Sequence, residues 1–77
     1  MPESKRQVVF PSQADELFHI PRGGTYKVLK HGVQVKDGDV WANGCCYEDT
    51  KTGQVYCRAY SRFTLSDWIY YKEIDNA

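Results

Sequence analysis

The stretch Asp49-Thr50-Lys51-Thr52-Gly53 limits the fold more than any other part of the chain. Runs of strand formers flank it, Val40 to Tyr47 before and Gln54 to Tyr60 after. The segment itself is made of turn formers and ends in glycine. A loop from Thr50 to Gly53, with Gly53 in the left-handed region, closes a hairpin in which Asp49 faces Gln54. That register sets Tyr47 opposite Tyr56, Cys46 opposite Cys57 and Cys45 opposite Arg58. A slip of one residue would change every partner.

The rest of the chain is punctuated in the same way. Asp37-Gly38 is a turn between a short run at Gly32 to Val35 and the strand from Val40, which has the option of a bend at Gly44. Arg22-Gly23-Gly24 is a turn ahead of a strand at Thr25 to Leu29, with Tyr26 and Val28 on one side. Gln7 to Phe10 reads as an edge strand ended by Pro11, which has no N–H for a ladder. Ser12 reads as a helix N-cap with Asp15 in the first turn. The helix would cover Gln13 to His19, place Ala14, Leu17 and Phe18 on one face, and stop at Ile20-Pro21. Near the C-terminus, Thr64 or Ser66 would cap one helical turn through Asp67 and Trp68, followed by a strand at Trp68 to Tyr71. A single helix from Leu65 to Ile74 is the rival reading.

These elements define an all-β to β-rich α+β chain: a small SH3-like barrel or rolled antiparallel sheet with a short N-terminal helix. From Gly23 to Ile74 the plan resembles SH3-like barrels in strand count and spacing, not in a motif, and the proline-binding signatures of SH3 domains are not visible. Residues 1–6 are expected to be a flexible tail and residues 7–77 a single domain. A chain of 77 residues buries only about 60% of its unfolded surface, so its stability should be modest. Six Tyr, three Phe and two Trp must supply much of the core, since there is one Met and few Leu or Ile.

Charge and cysteine usage narrow the function. Ten Lys plus Arg balance ten Asp plus Glu, which argues against nucleic-acid binding by bulk charge and leaves room for a local basic patch. No run approaches the roughly 18 apolar residues of a membrane helix, and no apolar segment follows the charged start, so no membrane or secretory role is expected. Three cysteines, an odd number, fit a cytoplasmic location. Cys46 and Cys57 are then expected to be small buried apolar residues with no intramolecular disulfide. A zinc or thiol protein centred on Cys45, Cys46 and Cys57 is a third and weaker reading, because adjacent strand residues point apart and His19 and His31 lie far upstream. No phosphate loop, nucleophile elbow or spaced carboxylate pair is present, so no enzyme, cofactor or metal is expected.

Two groups are candidates for binding. Tyr47, Tyr56, Arg58 and Tyr60 share one face of the hairpin, while Val55, Cys57 and Ala59 share the other. The small set suits the inside of a curved sheet, which would leave the aromatic set as a surface stripe crossed by a cation. The competing reading has the tyrosines cladding the core with their hydroxyls in water and Arg58 lying over a ring as a cation–π contact. Lys27, Lys30, His31 and Lys36, with Arg22, form the densest basic stretch, which Arg58 and Arg62 would extend. The function expected is a small non-enzymatic binding or regulatory module acting through a protein partner. The alternative is a nucleic-acid-binding adaptor using the aromatic and basic strand face.

Overall fold

The computed structural model describes residues 5–74. Six strands form one antiparallel sheet: β1 (Lys5–Val8), β2 (Glu16–His19), β3 (Gly24–Asp37), β4 (Val40–Asp49), β5 (Val55–Ala59) and β6 (Trp68–Ile74). Their order across the sheet is β1-β6-β2-β3-β4-β5. The edge strands β1 and β5 do not pair with each other, so the sheet is open and does not form the closed SH3-like barrel. Of the expected tail, residues 1–4 lie outside the described residues, while Lys5 and Arg6 pair with Ile74 and Glu73 as part of β1.

The expected hairpin forms in its expected register. Tyr47 pairs with Tyr56, Cys46 with Cys57 and Cys45 with Arg58. Gly53 takes φ +76°, and its N–H donates to the Asp49 carbonyl at 2.8 Å. The Asp49 carboxylate accepts the Lys51 N–H at 2.8 Å, which fastens the turn from inside. The runs at Thr25 to Leu29 and Gly32 to Val35 are one long strand, β3. Register shifts between Val28 and Lys30 and between His31 and Val33 mark two bulges in it; each inserts a residue and sharpens the local bend. A turn, not a helix, precedes β6 at residues 65–67, and in it the Thr64 hydroxyl accepts the Asp67 N–H at 3.3 Å. The single-helix alternative for this segment is therefore excluded.

The N-terminal helix does not form. Pro11–Gln13 is a 3-10 turn without a side-chain cap, and Glu16–His19 is strand β2. An isolated helix this short is marginal in water. As a strand, the same residues gain two ladders at once, with Leu17 paired to Tyr26 on β3 and to Tyr70 on β6. Ala14 and Leu17 are fully buried as expected, but Phe18 now points to the opposite face of the sheet.

One face of the sheet carries the core. Leu17, Tyr26, Cys45, Tyr47, Trp68 and Tyr70 point to it and are buried, joined by Ala14 and Phe63. A flat sheet would hold β5 and β6, four ladders apart, about 19 Å from each other. Yet the Arg58 guanidinium on β5 lies 5.6 Å from the Trp68 ring centroid on β6, and the Tyr47 and Trp68 rings are 5.9 Å apart. The sheet is therefore an open roll closed over by its own side chains. Large rings fill the inside because they alone span so wide a curve.

This reverses one expectation. The inside of the roll is the aromatic face, and Cys57 and Val55 lie exposed on the outside. Cys46 and Cys57 are joined there by a disulfide, with Cα atoms 4.1 Å apart, contrary to the expectation of two buried thiols. The free cysteine is Cys45, fully buried in the core, where desolvation pushes its thiol up to about 11. Such a cross-strand bond belongs to an oxidising environment, so the cysteines no longer argue for a cytoplasmic location. Among the described residues no helix is long and apolar enough to cross a membrane.

Candidate functional site

The mouth of the roll is an open cleft of about 200 Å³ lined by His19, Arg22, Tyr26, Tyr47, Tyr56, Arg58 and Trp68. Five strands and the turn after β2 contribute to it. His19 and Trp68 are paired across β2 and β6, and their rings meet at 4.4 Å. Tyr26 stands edge-on to Tyr47 at 5.4 Å. Tyr56 lies against Tyr47, with ring centroids 5.7 Å apart and planes 28° from parallel. Four aromatic rings thus wall the cleft. Burial, with the nearby Asp49 charge, raises the Tyr26 hydroxyl above its ordinary pKa, so it stays a neutral donor and acceptor.

Arg58 crosses this wall. Its guanidinium lies over the Phe63 and Trp68 rings at 5.7 and 5.6 Å from their centroids, a cation–π arrangement. Its Nε–H donates to the Tyr47 hydroxyl at 3.2 Å. Among the described residues no carboxylate lies within ion-pair distance of Arg58 or Arg22, and no acidic side chain lines the cleft. Neither guanidinium there is held in an ion pair, and the Asp49 charge felt at Tyr26 is the negative charge nearest the cleft wall.

The candidates read from the sequence divide sharply. Tyr47, Tyr56 and Arg58 share the cleft, although Tyr47 is buried and serves as its floor. Tyr60 leaves the strand and sits in a 3-10 turn, Tyr60–Arg62. Its hydroxyl meets His31 Nδ1 at 2.7 Å and accepts the Gly32 N–H at 3.3 Å. His31 Nε2 lies 2.6 Å from the Ala14 carbonyl oxygen. A carbonyl only accepts, so Nε2 carries a proton and donates to it. His31 is thereby a strut between β3 and the N-terminal 3-10 turn, with both ring nitrogens occupied. Lys27 pairs with Glu48 across β3 and β4 and, like Lys30, is exposed on the outer face, away from the cleft. Arg62 is held by Asp37 through its Nε at 2.9 Å. The basic stretch is therefore not one surface.

His19, Arg22, Tyr26 and Trp68 complete the cleft and were not grouped with it from the sequence. The alternation of Leu17 and His19 was the available signal for β2, and the helix reading concealed it. No family model, curated protein or solved structure matches the chain.

Proposed function

We propose that the protein is a small non-enzymatic binding module that acts on another protein through the cleft of the roll. The observation that carries this reading is Arg58, free of any ion pair and set beside aromatic rings at the mouth of the cleft. Aromatic residues and arginine are the side chains most enriched at binding hot spots. The size of the cleft supports a protein partner over a free small molecule. Sites for whole ligands or cofactors run about 300–1,000 Å³, whereas about 200 Å³ suits one anchoring side chain.

Nucleic-acid binding is the lesser reading. Tyr56, 44% exposed, offers a face for base stacking. A phosphate track should continue from it along the surface, but Lys27 and Lys30 lie behind the sheet. The two faces provide the test. Arg58→Ala should weaken capture of the partner from host lysate by about tenfold or more, as loss of a hot spot does. Lys27→Ala with Lys30→Ala should leave capture unchanged. The opposite pattern, in variants that melt normally, would transfer the site to the outer face.

A further inference from the structure

The cleft also specifies what it holds. We infer that its ligand is an oxyanion, carboxylate or phosphate, at the end of an apolar or aromatic side chain of the partner. This rests on the cleft being the partner-binding site, and it adds the chemistry of the anchor. The Arg58 guanidinium lies beside the Phe63 and Trp68 rings, and its Nε is committed to the Tyr47 hydroxyl. What remains is the edge formed by its two terminal nitrogens, whose facing N–H groups run side by side in one plane. That edge matches two oxygens of a carboxylate or phosphate, and arginine is suited to such two-point recognition in a way lysine is not.

The surroundings agree with this assignment. Arg22 lines the same cleft, and His19 adds an imidazole to it. A cationic anchor such as a lysine would meet two like charges and no carboxylate in the lining itself. A purely apolar anchor would cover Arg58 and leave its terminal N–H groups without partners, a costly outcome for a charged donor. An oxyanion satisfies those groups, while its stem lies along Tyr56, Tyr26 and Trp68. The Nε bond to Tyr47 and the ring contacts hold the guanidinium in place before the ligand arrives, so little rotamer freedom remains to be lost.

Phenyl phosphate and phenylacetate are the probes for the two oxyanion sources, with benzyl alcohol as the neutral control. Fluorescence of Trp68 reports binding in a Trp41→Phe background, since Trp41 is 63% exposed and does not line the cleft. One or both anions should bind, and benzyl alcohol should bind about tenfold more weakly or less, as expected when a charge-assisted pair is missing. The source is phosphate if phenyl phosphate alone binds, carboxylate if phenylacetate alone does, and their shared chemistry if both do. Arg58→Gln should remove the preference for the anions, and Arg58→Lys should not restore it. Should Arg58→Gln fail to fold, Arg22→Gln and added salt should each weaken the anions and spare the alcohol. Equal binding of all three probes, or binding of none, would overturn the inference. A partner captured equally well by Arg58→Ala and the unaltered protein would instead overturn the reading on which the inference rests.

Discussion

Breaking the Cys46–Cys57 bond by a phosphine reductant, or by Cys46→Ser with Cys57→Ser, should cost the fold about 2–3 kcal/mol. The magnitude follows from chain entropy: the bond joins residues 11 apart, and a cross-link closing a loop of roughly 15 residues is worth about 3 kcal/mol. The effect is large for a small chain, since native domains are stable by only about 5–15 kcal/mol. For 60–100 residues each kcal/mol moves the melting temperature by about 4–8 °C, so a fall of about 10–20 °C is expected. The loss should be felt first in β5, an edge strand with only β4 beside it. Melts with and without reductant, and of the double variant, measure it, while mass spectrometry before and after reduction checks that the bond exists. Coincident melts for a protein shown to be oxidised would refute the reasoning, because the unfolded loop would then not be constrained by the bond.

Two other perturbations test the interior. Gly44→Ala should cost about 2–3 kcal/mol or more, as overpacking does, because the added Cβ would collide with the Arg58 carbonyl oxygen and lie 2.8 Å from the Ala59 Cα; a urea midpoint within error of the unaltered protein would show that β5 can move aside. Stability should fall from about pH 9 upward, since burial pushes Cys45 from 9.0 to about 11 and Tyr70 from 10.0 to about 12. Both groups ionise earlier in the unfolded chain, so their contribution is intact below the unfolded values and lost as pH rises through the folded ones. Melts across this range check the fall, and Cys45→Ala should flatten its lower part.

The legible parts of the sequence were those governed by neighbours along the chain. Gly53 and Asp49 define the loop by themselves, so the pairing of Tyr47 with Tyr56 followed. The turn before β6 was legible for the same reason. What could not be read depended on strands distant in sequence. Ala14, Leu17 and Phe18 satisfy a helical spacing, and only pairing with β3 and β6 makes this segment a strand. The two faces of the hairpin were sorted correctly, but which one turned inward was set by the curvature of the whole sheet. That curvature arises partly from the bulges in β3, of which the one at Gly32, φ +72°, has a local signal in its glycine and the one at Leu29 has none. Tyr60 leaves the hairpin face because Ala59 ends β5 and the chain turns there, and His31 reads as a surface base in the sequence because both of its hydrogen-bond partners, Tyr60 and Ala14, are remote. Three of the seven cleft residues are therefore visible in the sequence, namely Tyr47, Tyr56 and Arg58, while His19, Arg22, Tyr26 and Trp68 join it only through the roll.

Adjacent residues on β5 give the most direct test that the cleft side of the sheet meets the partner. Val55 and Tyr56 are equally exposed, at 45% and 44%, and point to opposite faces. A photoreactive phenylalanine analogue placed at one or the other in the host should cross-link one and the same protein from position 56 and not from position 55. Cross-linking from position 55 with none from position 56 would contradict the account and place the partner on the outer face, over the disulfide.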